Sequence, residues 1–327
     1  MGLGWEHPAT IIASAVKAAR ARFRPPEEQV TMTPHVTIPT GSVAIERPCL
    51  YVVATPIGNL ADITLRALAV LEASDLILAE DTRTTGRLLA HYGLATRTQA
   101  LHEHNEREAS PGLVARMQAE RLAVALVSDA GTPLLSDPGY PLTRAALAAG
   151  LAVRPIPGAS AVLAALCVAG LPTDRFCFEG FLPPKAAAAS ARLAALASEP
   201  RTLVFFEAPR RVGQALATMA EVLGAERPAC VARELTKLHE TCYRGSLAEV
   251  AAAVAKDGYG ERGEFVVVVG GAPQGEADAQ EIGRVLGLLQ PHLTRRTAVE
   301  LTANFLGVPR NQVYALALDQ AGPSPAD

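Results

Sequence analysis

From Leu50 onward the chain alternates short apolar runs with amphipathic stretches. Residues 50–55 (Leu-Tyr-Val-Val-Ala-Thr) form a β-rich run that ends in the turn Pro56-Ile-Gly-Asn59. Asp62 is placed to cap a helix reaching about residue 72, with Ile63, Leu65, Leu68 and Leu71 on its apolar face. Strands are then predicted at 76–79, 122–127 and 151–156, and helices at 83–91, 106–120 and 141–149. Near-continuous apolar strands separated by helices predict a parallel sheet covered on both faces.

A second α/β unit follows, with strands at 176–181, 202–206, 230–234, 241–244 and 264–269 and helices at 186–197, 210–223 and 247–256. Glu240-Thr-Cys-Tyr-Arg-Gly245 alternates like a half-exposed strand, which predicts a mixed sheet. After the linker 270–275 come three short helices, 280–289, 295–305 and 310–318. The last two flank Gly307-Val-Pro309 in the manner of a helix-turn-helix. The expected organisation is an extension at 1–47, a parallel α/β domain at 48–158, a mixed α/β domain at 159–272 and a helical module at 279–320. The extension carries Lys17, Arg20, Arg22 and Arg24 before Pro25-Pro26. It reads as a disordered segment, with Met32 as an alternative start, rather than as a basic arm for phosphates.

Composition agrees with two domains and a small module. The 327 residues are 49% hydrophobic and 19% charged, with a mean hydropathy of +0.19, which excludes a disordered or fibrous chain. A net charge of −3 argues against a uniformly basic nucleic-acid coat but leaves room for local basic patches. Only four of the 30 cations are Lys, so positive charge is mostly planar guanidinium. The five Cys form no Cys-x-x-Cys and read as buried, reduced thiols of a cytoplasmic protein. No run approaches the roughly 18 apolar residues of a membrane span, and the apolar stretch 11–16 is too short for a signal core.

Three loops stand at the carboxyl ends of apolar strands, where open α/β sheets bind ligands. They are Thr55-Pro-Ile-Gly-Asn-Leu60, Ser128 to Gly139, and Pro157-Gly-Ala-Ser-Ala161 ahead of a helix. None contains Gly-x-Gly-x-x-Gly, and the chain has no Gly-x-x-x-x-Gly-Lys-Ser/Thr, which weakens dinucleotide and nucleoside-triphosphate readings. The second loop packs Asp129, Asp137 and several Gly and Pro into twelve residues, more than a plain connection requires. The third offers helix-start N–H groups to a carboxylate.

Glu80-Asp-Thr-Arg83 ends a strand with two carboxylates and a guanidinium, either as a substrate site or as a solvated internal pair. His102 and His104 lack a third ligand at metal spacing, and no metal is expected. In the second unit, residues 201–244 carry seven cations against five Glu. Arg210, Arg211, Arg233 and Lys237 either face phosphate or pair with Glu207 and Glu234.

These loops, in this order, resemble one family. The strings are Ala54-Thr-Pro-Ile-Gly-Asn-Leu-Ala-Asp-Ile-Thr64, Ala79-Glu-Asp-Thr-Arg83, Leu126-Val-Ser-Asp-Ala-Gly-Thr-Pro133 with Asp137-Pro-Gly139, and Ala232-Arg-Glu-Leu-Thr-Lys237. The sequence is similar to the bacterial small-subunit ribosomal RNA cytidine 2′-O-methyltransferases (methyltransferase I), within the tetrapyrrole-methylase superfamily, from about Leu50 to Leu318. The resemblance implies S-adenosylmethionine in a cleft between the two α/β domains, a homodimer, and ribosomal RNA or the assembled small subunit as partner. It places the cofactor on Pro56, Ile57 and Gly58, on Asp129, Gly131, Thr132 and Pro133, and on Ala159 and Ser160. Glu80, Asp81 and Arg83 are the catalytic candidates, with Glu103, His104 and Glu234 as further proton acceptors. Arg211, Lys237, Arg295 and Arg296 are the candidates for RNA. Competing readings are a same-fold methyltransferase for a tetrapyrrole precursor or protein side chain, a helix-turn-helix binding protein without activity, and a dehydrogenase.

Overall fold

The computed structural model describes residues 44–258, 262–273 and 279–319. The basic segment with Lys17 and Arg24 lies outside them, as does most of the expected extension. Glu46 and Arg47, assigned to that extension above, are anchored to the first domain. Arg47 pairs with Asp75 at 3.0 Å and Glu46 with Arg154 at 2.9 Å.

The first sheet contains β1 (Cys49–Val53), β2 (Leu76–Ala79), β3 (Thr98–Ala100), β4 (Ala123–Val127) and β5 (Ala152–Ile156). All its pairs are parallel, in the order β3-β2-β4-β1-β5. Helices α1 (Leu65–Ala73), α2 (Thr82–His91), α3 (Glu106–Glu120) and α4 (Tyr140–Ala148) connect these strands, and α5 (Ala161–Ala169) leaves β5. Period-two alternation sends Cys49, Tyr51 and Val53 into one core and Leu50 into the other. Pro155 is tolerated because β5 is an edge strand, where a missing N–H breaks no second ladder.

The second sheet contains β6 (Phe176–Phe181), β7 (Thr202–Glu207), β8 (Pro228–Arg233), β9 (Thr241–Ser246) and β10 (Phe265–Val269), in the order β6-β7-β10-β8-β9. Only β6–β7 is parallel, so the sheet is mixed as the alternation at residues 240–245 predicts. Helices α6 (Ala186–Ala195), α7 (Pro209–Leu223) and α8 (Leu247–Lys256) cover one face. The other face receives α5. Helices α9 (Ala279–Leu289), α10 (Arg295–Leu306) and α11 (Arg310–Asp319) share a separate small core around Ile282, Leu286, Val299 and Val313.

Three local expectations are corrected. Asp62 does not cap the first helix. Asn59 caps a single 3-10 turn at Leu60–Asp62, which delays α1 until Thr64 accepts from the Ala67 amide; Leu65 therefore faces solvent. Strand β3 went unpredicted because three residues, Thr-Gln-Ala, carry no apolar period. All five thiols are free, but only Cys49 and Cys230 are buried; Cys167 lies on the exposed side of α5.

One buried cation staples the second domain. Arg227, 5% exposed, donates to the carbonyls of Gly270, Ala197 and Glu199 at 2.9–3.1 Å. Arg227→Met leaves three acceptors without this donor, and is expected to lower the unfolding free energy by about 2–4 kcal/mol. Urea denaturation checks it as a lower midpoint at unchanged slope; an unmoved midpoint would mean the carbonyls find other donors.

Candidate active site

Strands β4 and β1 are neighbours whose following connections run in opposite directions, β4 past β1 to β5 and β1 past β4 to β2. That is the topological switch point, where an open α/β sheet leaves a crevice beyond its strand ends. The first two loops meet there. Thr55 N donates to Gly131 O at 2.8 Å, Gly131 N returns the bond to Thr55 O at 3.0 Å, and Thr55 Oγ1 donates to Ser128 O at 3.2 Å. The third loop is tied in by Thr132 Oγ1, which donates to Ala159 O at 3.1 Å.

Close approach explains two of the glycines. At Gly131, with φ +83°, a Cβ would stand 3.2 Å from the Ile57 side chain; at Gly158 it would stand 3.0 Å from Ala54 Cβ. Ser160 caps α5 by accepting from Leu163 N. Gly131 and Pro133 are buried, Pro56, Thr132, Ala159 and Ser160 half-buried, and Gly58 and Asp129 exposed. The structure thus gathers all nine residues expected to hold the cofactor into three mutually bonded loops.

Beside them the ends of β2 and β4 exchange hydrogen bonds. Asp81 N donates to Asp129 Oδ1 at 3.0 Å, and Asp129 N donates to Glu80 Oε2 at 3.4 Å. Burial pushes the Glu80 carboxyl up, and the Asp129 charge adds to it. Burial also pushes Asp137 up to about 6, against a hydrogen bond from Ser128 and with Glu80 and Asp129 adding negative charge. Asp81 behaves oppositely. It caps α2, and its hydrogen bonds from the Arg83 side chain and backbone hold its carboxyl down to about 2. Arg83 itself is 85% exposed in its side chain.

Across the crevice stands the second domain. A cavity of about 340 Å³ is lined by Ile57, Ala130, Asp137 and Ala161 on one side and by Phe181, Phe206, Glu207, Gly263 and Phe265 on the other. The Gly180 bulge of β6 comes close enough that a Cβ there would meet Ser136 Oγ at 3.2 Å. Glu234 and Thr236 adopt positive φ, and the Lys237 stem lies over Gly58, where a Cβ would be 2.4 Å away.

The expected phosphate ligands are mostly engaged with protein. Arg211 donates to Leu182 O at 2.7 Å and faces Glu207 at 3.4 Å; Lys237 pairs with Glu234 at 2.8 Å and Glu264 at 3.2 Å. Arg233 is buried, paired with Asp257 and donating to Arg262 O, so it does not face phosphate. Arg210 is exposed, as are Arg295 and Arg296 at the start of α10. Sequence reasoning missed Glu106, a buried carboxylate that accepts from Gly139 N at 2.7 Å and fixes the end of the second loop. It also treated Glu207 only as a partner for arginine, although a lone carboxylate ending a wholly apolar strand is itself a signal. Among the described residues no group of three or more His, Cys, Asp or Glu could hold a metal.

Comparison with known proteins follows this geometry. Residues 49–251 match the family model of the tetrapyrrole (corrin/porphyrin) methylases, and residues 276–321 match the RsmI C-terminal HTH domain. The ribosomal RNA small subunit methyltransferase I of Pseudomonas aeruginosa is 52% identical over 278 residues, covering 84% of this chain and 98% of the relative. This chain belongs to the ribosomal RNA small subunit methyltransferase I family. The family member from Escherichia coli O157:H7 is 49% identical over 84% of this chain and 96% of its own length. Among solved structures, the methyltransferase CobJ superposes with a TM-score of 0.51 at 22% identity, covering 68% of this chain and 94% of its own. Diphthine synthase gives 0.50 at 17% identity, covering 68% and 90%. At those identities the likeness is one of fold, and it places this family member in the two-sheet methylase architecture.

The acidic floor makes a pH test. A folded-state pKa of about 6 for Asp137, above its ordinary 3.8, means the folded chain holds a proton that the unfolded chain has released. Stability is therefore lost as pH rises through that window, by about 2 kcal/mol after allowance for solvent screening. Asp137→Asn should gain that amount relative to wild type between about pH 4 and 7. Urea denaturation across that range checks it; a constant difference between the two proteins would remove Asp137 from the titrating groups.

Proposed function

We propose that this protein transfers a methyl group from S-adenosylmethionine to a cytidine ribose 2′-oxygen in small-subunit ribosomal RNA. One observation carries this reading: a methylase cleft and an RsmI-type C-terminal helical module stand on one chain, with relatives named for the small-subunit RNA aligned along nearly their whole length.

The cofactor is S-adenosylmethionine, which when bound supplies an electrophilic methyl carbon on a sulfonium leaving group. The fit is supported by the three bonded loops and by the cavity that Ile57, Ala130 and Ala161 share with Phe181 and Phe206. Pro56, Ile57, Gly58, Asp129, Gly131, Thr132, Pro133, Ala159 and Ser160 are the residues that would hold it. The carboxylates Glu80, Asp129 and Asp137 put negative charge beside a cationic ligand. Most of the acceleration comes from alignment and from exclusion of water by the aromatic wall.

Of the catalytic candidates, Glu80 takes the proton from the ribose hydroxyl, because burial raises its basicity while Arg83 keeps Asp81 a weak base. Asp81 and Arg83 position it: Asp81 caps α2 and donates its amide to Asp129, and exposed Arg83 is available to RNA phosphate. Arg295 and Arg296 extend that surface; Arg211 and Lys237 hold the cleft wall through their carboxylate partners. The exposed apolar side chains of Leu135 and Tyr140 support a homodimer. No helix of the described residues is long and apolar enough to cross a membrane, and a ribosomal substrate implies action in the cytoplasm.

Tritiated methyl transfer to small subunits from cells lacking the enzyme should label one ribose, located by mapping the modified nucleotide. Glu80→Gln is expected to slow single-turnover transfer by about 100-fold. Labelling of uroporphyrinogen instead of the subunit would overturn the reading, and an unchanged rate would remove Glu80 from its role.

A further inference from the structure

At the end of the second sheet that faces the crevice, Arg211, Arg233 and Lys237 are taken up by carboxylates of the protein. Arg210 and Arg262 are not. Both are exposed, and neither has a carboxylate partner among the described residues. They line one cavity of about 620 Å³, between the first turns of α7 and the end of α8. That cavity is distinct from the one between the domains, but the two share a wall. Pro209 lines both, and Arg262 directly precedes Gly263 and Glu264, which line the inter-domain cavity.

The lining describes an anion. Asp257, the acid within it, is already spent: it pairs with Arg233 at 2.9 Å and accepts from the Tyr243 hydroxyl. The same buried Arg233 donates to the Arg262 carbonyl at 3.0 Å, so Arg262 projects from a fixed backbone. Arg210 shares its helix face with Gly213 and Gln214, one turn on. Gly213 and Gly258 leave space, since a Cβ at either would meet nothing within 4 Å. The uncompensated charge on this concavity is therefore positive and open to a ligand. Guanidinium forks of this kind match phosphate oxygens in pairs.

We infer that Arg210 and Arg262 form a subsite for the RNA backbone, holding a phosphate that flanks the reacting nucleotide. The inference rests on the proposed function, which brings a ribose-phosphate chain to the crevice; a strand leaving it across the Pro209 rim meets these two side chains next. Inorganic phosphate has the same chemistry, but the cavity is far larger than one ion and continues the crevice, which favours a length of backbone. Contacts of this type fix the register of a strand and carry no base preference.

Filter retention of small-subunit ribosomal RNA by the full chain, across a series of salt concentrations, tests it. The proteins are wild type, R210Q, R262Q, the double variant, and R97Q as a control. Arg97 is equally exposed but precedes β3, at the end of the first sheet away from the crevice. R210Q and R262Q should each weaken RNA binding about fivefold. Each should also flatten the slope of log affinity against log salt by about 0.7–0.9, and R97Q should do neither. R210K, which keeps the charge without the fork, should restore the slope but not the full affinity. Calorimetry with S-adenosylhomocysteine should give wild-type affinity for every variant, which shows that each is folded; the single variants decide the matter if the double variant is not. A double variant with wild-type RNA affinity and slope overturns the inference, and so does an equal loss in R97Q. Inorganic phosphate that binds wild type but not that double variant, with RNA binding unmoved, makes the occupant a free anion and overturns it too. A wild type that binds no small-subunit RNA overturns the proposed function as well, whereas RNA binding indifferent to both arginines overturns only the subsite.

Discussion

Helix α5 follows the last strand of the parallel sheet, yet it buries Val162, Ala165, Leu166 and Ala169 against Val204, Cys230, Ala232, Val266 and Val268 of the second sheet. Ile57, from the loop after β1, joins the same apolar cluster. Side chains of this kind contribute about 1.5–3 kcal/mol each when fully buried, so the contact is strong enough to hold two domains at a set spacing. The crevice exists because of it. The switch point of the first sheet opens upward, the second sheet presents its aromatic end, and α5 with Ile57 sets the distance between them.

Electrostatics at the crevice follow from the same packing. Three carboxyls, those of Glu80, Asp129 and Asp137, crowd the ends of β2 and β4 and are pushed towards neutrality by burial and by neighbouring carboxylates, Asp81 among those acting on Glu80 and Asp129. Asp81, one residue along, escapes because Arg83 folds back on it. Neighbouring acids thereby acquire opposite proton affinities, which lets one strand end both bind a proton and anchor a helix. Cations elsewhere in the cleft wall are neutralised locally: Lys237 by Glu234 and Glu264, Arg211 by Glu207. Exposed cations among the described residues remain available to a polyanion, among them Arg210 on α7 and Arg295 and Arg296 on the helical module.

Much of this was legible before any coordinates. The density of Asp, Gly and Pro from Ser128 to Gly139 marked a loop built for more than connection, and the positive φ of Gly131 and its bond to Thr55 give the reason. The apolar period of residues 122–127 and 202–206 located two central strands. Less legible were ends and partners. The helix start moved from Asp62 to Thr64 because two capping side chains, Asn59 and Thr64, competed within five residues. Arg233 looked like an exposed cation until Asp257 and the Arg262 carbonyl enclosed it.

What the sequence determined by itself is mostly of short physical range: the order of strands and helices apart from β3, the parallel-then-mixed sheet pair, and the three loops with their glycines. Periodicities of 2 and 3.6 residues and the φ demands of turns are local, so they are written in neighbouring residues. Tertiary structure alone decided which charges are paired, which acids are raised or lowered, and that Glu207 is wholly buried at the end of β7 beside Arg211. Those properties depend on burial and on charges brought together from distant strands, and a carboxylate's chemistry is set by what surrounds it rather than by what precedes it in the chain.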